Sequence, residues 1–573
     1  MSSAPITIGI TLPPQIAYTL LTTLGIILLS GVVFLILANQ KPRTEPEFTA
    51  HGFLNVLAAV LAPVWLLLFA HIIWSLWQLA SQFDPTQQNA DMRWHILAFV
   101  GLITALGGLI SAPLALVRVW TTERQTRTAE QGHMTDRISK AVEHLGAEKT
   151  VKKLNDNGQT VETSEPNIEV RIGGLLSLER ISQDSVRFDK GRDHVRVMEI
   201  LCAYVRENSN ARDAKDSLRY RYEVEVHGGD YIDGDVITEQ TAQEFMDKHN
   251  LNDVSLSEKI SVRAQTQWAH SLPKPRTDIQ QALDIIGRRD QNDLEKAAGY
   301  TLDLRGSNLQ AADMAQAADM ASGNWSHARL QAARMEGANL RAARMEGADL
   351  SAARMEGADL YGARMDGADL SEARMEGADL YGARMEGADL YGARMDGADL
   401  SEARMEGADL YGARMEGANL SEARMEGAYL YEARMEGANL SEARMEGADL
   451  SEARMEGAYL IGARMEGADL FKARMEGANL SEARMDSHTY LTAAQIQTAA
   501  VRDVDWRNAS WDQEQINAMF GDASVELPDH ITRPAHWPDW KLPFSGENGF
   551  YAQWRKWRDD PDNFRPPENP DKP

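Results

Sequence analysis

Apolar and polar positions alternate along the second half of the chain with a short fixed period. The ten-residue unit Ala-Arg-Met-Glu-Gly-Ala-Asp-Leu-Ser-Glu, with close variants, runs from Gln331 to Asp486. It divides into two five-residue units, one centred on Met and one on Leu, each with Ala two residues before the centre. Centres fall at every fifth residue from Met320 through Trp325 and Leu330 to Met485, 34 units in one register. Within a unit, Ala333 and Met335 point one way and Arg334 and Glu336 the other, which is a very short strand. Gly337 then turns the chain. An α-helix is excluded, because apolar residues spaced by five drift around a 3.6-residue turn and leave no apolar stripe. A strand-turn unit repeated in this way closes into a stacked coil whose backbone pairs with the coils above and below.

The pattern Ala-Asp/Asn-Leu-x-x, as in Ala348-Asp349-Leu350-Ser351-Ala352, resembles the pentapeptide-repeat family over residues 301–490. The resemblance implies a right-handed quadrilateral β-helix, a solenoid with four units per coil. The 34 units would then make a rod about 40 Å long at ~4.8 Å per coil. Leu304, Leu309 and Met314 keep the spacing but sit one residue out of register, so a bulge is expected before Met320. Met in place of the family's usual Leu or Phe reads as an adaptable core filler.

On the Met faces an Arg column would stand beside an acidic column, a self-compensating ladder. The Leu faces carry Asp, Asn or Tyr without a basic complement. Residues 331–480 hold 17 basic and 30 acidic side chains, half of the chain's net charge of −26. Such a rod repels nucleic acid and binds none directly. Some pentapeptide-repeat proteins imitate DNA against type II topoisomerases, so the resemblance leaves that role open. A twenty-residue coil also stacks Tyr391, Tyr411 and Tyr431 on one face, with Tyr429 beside them and Phe471 two coils on. These five are the candidate interaction face, because exposed aromatic residues on a rigid surface are common binding anchors.

Residues 1–120 contain three apolar stretches, Ile16–Ala38, Phe53–Ala80 and Trp94–Trp120. By length and composition they read as three transmembrane α-helices. Lys41, Arg43, Arg118 and Arg124 against Arg93 alone would place the N-terminus outside and the rest in the cytoplasm of a cell with an inner membrane. Residues 121–300 read as a small α-helical domain with a charged insertion near 210–270. Its segments Val170–Ile181 and Val197–Leu201 resemble the helical region ahead of the repeats in membrane-anchored bacterial pentapeptide-repeat proteins. Residues 491–573 read as a helical cap and Trp-rich tail, with helices expected at Leu491–Ala500 and Asp512–Phe520. Physically, such a tail covers the apolar end of the last coil.

No motif for metal, phosphate or nucleophilic chemistry occurs, the histidines lack metal-ligand spacing, and Cys202 is the single cysteine. No cofactor or metal is expected. The composite expectation is a non-enzymatic scaffold tethered through membrane lipid, offering an acidic rod to a protein partner or to a second copy in a homodimer or higher oligomer. The alternative is a DNA-mimic inhibitor of a nucleic-acid enzyme.

Overall fold

A computed structural model describes residues 66–78, 80–81, 91–155, 159–189, 191–216, 268–269, 271–289, 292–315 and 319–570. The chain separates into two compact units, Met1–His133 and Met134–Pro573. In the first, residues 66–78 and 80–81 are helical, and helix α1 begins at Asp91 and runs to Leu145.

The three transmembrane helices and the multi-pass inner-membrane location are not upheld. Among the described residues no helix is long and apolar enough to cross a membrane. Residues 16–38 and 53–65 lie outside the described residues. Helix α1 has the length, but it mixes the apolar residues with Arg93, His95, Gly107, Gly108, Pro113 and Arg118 and continues into a polar second half. The lipid contact and the orientation inferred from it fall with the spans.

The second unit opens with a helical bundle. Strands β1 (Glu148–Leu154) and β2 (Thr160–Pro166) form an exposed antiparallel hairpin between α1 and α2 (Ile168–Asp189). Helix α2 buries Leu175, Leu178 and Ile181, and α3 (His194–Asn208) buries Val197, Met198, Leu201 and Val205. Their three- and four-residue spacing puts each set on one face. Helix α4 (Thr277–Gly287) adds Ile279, Leu283 and Ile286, and α5 (Asn292–Ala298) follows. Residues 217–267 of the charged insertion lie outside the described residues.

The repeats form a four-sided β-helix. Parallel bridges join residues twenty apart on every side, Arg354 to Arg374, Asp359 to Asp379, Arg364 to Arg384 and Asp369 to Asp389. Alanines and centres are buried throughout, as at Ala398 and Leu400. The first coil contains the expected extra residue, since Asp303, Asn308 and Asp313 bridge residues 21 away while Asp319 bridges Asn339. Turns on the Met sides need a left-handed backbone, which Gly supplies without penalty, as Gly377 does at φ 65°. On the Leu sides the same conformation is often carried by Glu, as at Glu402 with φ 58°.

The coil outlasts the expected boundary at residue 490. A second one-residue insertion at Asp486–His488 shifts the register, and bridges continue as Asp469 to Tyr490, Asn479 to Ala500 and Asp505 to Glu526. The segment 491–500 is therefore coil rather than helix. Strands β3 (Ala500–Val501) and β4 (Phe520–Gly521) are its parallel continuation. Helix α6 (Gln513–Asn517) starts in a capping box formed by Asp512 and Gln515.

Both ends of the rod are closed. At the first coil, the Gln280 side chain donates to the Asp313 carbonyl and accepts from its N–H, and the Asp319 N–H donates to the Gly287 carbonyl. The Asn308 N–H donates to Ser209 O and the Ala211 N–H to Gly306 O. At the last coil, Trp506, Trp511, Ile516 and Met519 are buried under the tail, and the Trp537 indole donates to Met519 O at 2.8 Å. Helix α7 (Phe550–Asp559) seats Phe550 and Trp557 against Phe520. Unpaired strand edges and apolar cross-sections are thereby removed from both ends.

Candidate functional site

With the ends covered, the four sides of the rod are what it presents. On the two Met sides the charges are internally consumed. Most Arg side chains reach the acid of the preceding coil and many also lie near their own, as Arg374 Nη2 does at 2.9 Å from Glu356 and Nε at 3.7 Å from Glu376. The pattern recurs at Arg394–Glu376, Arg434–Glu416 and Arg454–Glu436 on one side, and at Arg404–Glu386 and Arg424–Glu406 on the other. Where Asp replaces Glu, as at Asp366 and Asp396, the carboxylate stands beside the Glu of the next coil, and the Glu416 N–H donates to Asp396 at 3.2 Å. Burial and that neighbour push Asp366 up, beside Glu386, and Glu416 up, beside Asp396.

The Leu sides owe their acidity to a turn device. The residue before each centre accepts from the N–H two positions on, as Asp389 does from Tyr391 (3.0 Å) and Asp409 from Tyr411 (3.0 Å). Asn does the same, as Asn439 does for Ser441 (3.2 Å). This Asx turn is why only Asp or Asn usually stands there.

Of the five sequence-selected residues, three form one column. The ring centroids of Tyr391 and Tyr411, and of Tyr411 and Tyr431, are 5.3 Å apart, and all three rings are half-buried. The Tyr411 hydroxyl donates to Glu432 at 3.4 Å. Burial and the Glu432 charge push its phenol up to about 12, and burial with Glu432 also raises Tyr431. Tyr429 is on the same side and 58 % exposed. Phe471 does not join the column. Ser451 intervenes in the twenty-residue series, and Phe471 stacks instead on Tyr490 at 6.1 Å with Lys472 over its ring at 4.9 Å.

Sequence reading passed over a second aromatic column on the opposite Leu side. Tyr361 and Tyr381 stack at 5.2 Å, and the Arg341 guanidinium lies 4.2 Å from the Tyr361 ring. The hydrogen bond from the Tyr381 hydroxyl to Glu402 raises that phenol to about 12. The series 341, 361, 381 carried the same twenty-residue signal as 391, 411, 431.

The helical bundle also holds a polar cluster beside a cleft of about 180 Å³ lined by Ser182, His194, Arg288 and Arg289 among others. Ser182 Oγ is 2.6 Å from His194 Nδ1, and His194 Nε2 is 3.0 Å from Glu295. Arg289 grips the same carboxylate through Nε (2.8 Å) and Nη2 (3.0 Å). Burial raises the Glu295 carboxyl, but the His194 and Arg289 hydrogen bonds outweigh it and the group is held low. Ser182, His194 and Glu295 are all buried, so the cluster ties α2, α3 and α5 together and offers no open nucleophile. Among the described residues no group of His, Cys, Asp or Glu is placed to hold a metal ion.

A four-sided coil of five-residue units with flat, laterally displayed side chains defines a class of non-globular repeat proteins. The family model for pentapeptide repeats (8 copies) matches residues 302–351, 328–367, 368–407, 378–417, 408–447 and 448–486, so this part of the chain is a pentapeptide-repeat region. Among solved structures it is similar to HetL, a pentapeptide-repeat protein involved in heterocyst differentiation regulation from the cyanobacterium Nostoc sp. That match has 30 % identity over 37 % of this chain and 95 % of HetL, with a TM-score of 0.20. A pentapeptide-repeat protein from the Arabidopsis thaliana thylakoid lumen matches at 31 % identity over 19 % of this chain and 70 % of its own, with a TM-score of 0.15. QnrB1, a plasmid-mediated fluoroquinolone resistance protein, matches at 20 % identity over 34 % of this chain and 90 % of its own, with a TM-score of 0.26. No curated protein matches the chain.

Proposed function

We propose that this protein is a non-catalytic scaffold whose rod holds a partner protein against the Leu side bearing Tyr391, Tyr411, Tyr429 and Tyr431. The observation that carries the reading is the three-ring column standing among carboxylates on a rod whose ends are both covered. Covered ends leave only the sides for recognition, and the Met sides are occupied by their own ion pairs. Rigid aromatic residues supply contact area at low entropic cost. Phe471 and Tyr490 extend the same side toward the C-terminal cap. Either a different protein or a second copy of this chain fits the description.

The test is replacement of Tyr391, Tyr411 and Tyr431 together by Ser. The fold, read by circular dichroism, is expected to persist, while in-cell crosslinked partners or the sedimentation coefficient change. Unchanged partner recovery together with unchanged sedimentation removes this side from consideration.

DNA mimicry is the competing reading, supported by the acidic Leu sides. It is the weaker one, because the Asp columns spend an oxygen on each Asx turn and are interrupted by Asn419, Asn439, Tyr429 and Tyr459. Inhibition of a type II topoisomerase by the full chain, lost on neutralising Asp359, Asp379 and Asp399, would favour it.

A further inference from the structure

Tyr429 stands where the repeat otherwise puts an Asx-turn residue. Asp409 one coil before and Asp449 one coil after each accept the N–H two positions on, from Tyr411 and Ser451 at 3.0 Å. A tyrosine has no oxygen to offer at that place, so the substitution forgoes a bond that its column neighbours make. Burial does not offset this, because the ring is 58 % exposed. The ring is flanked in its own column by the Asp409 and Asp449 carboxylates, and Glu432 is exposed on the same side. From Asp349 to Phe471 that side carries no Lys or Arg.

The molecule itself indicates what occupies an aromatic ring beside a carboxylate on these surfaces. On the opposite side Arg341 lies over Tyr361 at 4.2 Å with Nη1 3.2 Å from Asp359. Further along the same side as Tyr429, Lys472 lies 4.9 Å from the Phe471 ring and 2.9 Å from Glu452. Both occupants are cations that satisfy ring and acid together. Tyr459, another tyrosine at an Asx position, is 53 % exposed but flanked by Asn439 and Asn479, which supplies the ring without the charge.

We infer that Asp409, Tyr429 and Asp449 form a seat for an arginine side chain of the partner protein. The inference rests on the scaffold reading and assigns the chemistry of its partner, a basic segment whose guanidinium stacks on Tyr429 between the two carboxylates.

The test uses the full chain and a fluorescein-labelled (Ser-Arg)4 peptide, read by fluorescence anisotropy, with the citrulline peptide as its neutral counterpart. Tyr429→Asp restores the residue the repeat prefers, so the fold is kept and thermal stability is expected to hold or rise. It also adds a negative charge. A seat built on the ring is expected to lose about two- to five-fold in affinity in this variant, by the size of an exposed cation–π contact. Tyr459→Asn is expected to change nothing, and the citrulline peptide is expected not to bind. Tighter or equal binding to the Tyr429→Asp variant overturns the inference, since charge alone then accounts for capture. So does an equal loss in the Tyr459→Asn variant. If these peptide results fail while the Tyr391, Tyr411 and Tyr431 replacement still loses the crosslinked partner, the scaffold reading stands and only the arginine seat falls.

Discussion

Leu410 offers a measure of how far the rod's order depends on individual centres. It is fully buried, and its N–H donates to the Tyr429 carbonyl at 2.7 Å while the Leu390 N–H reaches the Asp409 carbonyl. Leu410→Ala removes about three methylene equivalents, ~2.4 kcal/mol by transfer alone. A cavity the rigid coil cannot collapse raises the cost to roughly 3–5 kcal/mol. Because each coil contacts only its neighbours, the loss falls on three coils rather than on the whole rod. At 1.4 kcal/mol per factor of ten, amide exchange at Leu390, Leu410 and Leu430 is expected to accelerate by about a hundred-fold or more. Amides of α2 should be unaffected. Tyr411→Ser, at a half-buried outer position, is expected to accelerate the same amides less than about ten-fold. Equal acceleration by the two substitutions, or less than ten-fold for Leu410→Ala, would refute the placement of the leucine in a tight axis.

Three shorter expectations follow from other parts of the chain. Cysteines replacing Ser421 and Ser441, whose flanking Asn419 and Asn439 bridge each other, should oxidise to an intramolecular disulfide, while cysteines at Ser401 and Ser441, two coils apart, should not; non-reducing mass spectrometry of each pair in a Cys202→Ala background decides it. Burial raises the Asp486 carboxyl, but its hydrogen bonds with the His488 imidazole and with the Gly467 and His488 N–H groups and the Thr489 hydroxyl outweigh burial and hold it at about 2. Its folded value lies below the unfolded one, so its contribution is complete above about pH 4 and lost as pH falls toward 2. Asp486→Ala should lower stability by about 1–2 kcal/mol at pH 7 and by little at pH 2, read by denaturant unfolding. Removing residues 545–570 uncovers Phe520 and Trp554's acceptor at Thr498, so the last coils, read by proteolysis, should become susceptible first.

How much of this was legible in the chain depends on whether a residue's role is periodic. The spacing of Met335, Leu340 and Met345 carries the coil, and the slip between Met314 and Met320 carries its first bulge. The second slip at Asp486 was as visible in principle. Leu491, Ile496, Val501, Trp506 and Trp511 keep the five-residue spacing, but the Met–Leu wording that announces the repeat has gone. A short helix is expected at 491–500 because Ala- and Gln-rich residues favour it locally, and stacking on the preceding coil overrides that preference, whereas the helix expected at 512–520 forms over Gln513–Asn517. The β1–β2 hairpin gave no signal, since nearly all of its residues are exposed and neither face is apolar. The apolar N-terminal stretches gave a strong signal that the described helices do not bear out. At the candidate site, stacking of Tyr391, Tyr411 and Tyr431 follows from the coil length, whereas separation of Phe471 from that column required knowing its contact with Tyr490.

The most direct measurement of the central claim is photo-crosslinking in cells from two positions half a coil apart. A benzophenone amino acid replaces Tyr411 in one strain and Ser421, on the opposite Leu side, in another. Covalent adducts from position 411 and none from 421 are expected if the tyrosine-bearing side holds the partner. Adducts of equal yield from both positions, or from 421 alone, would contradict it.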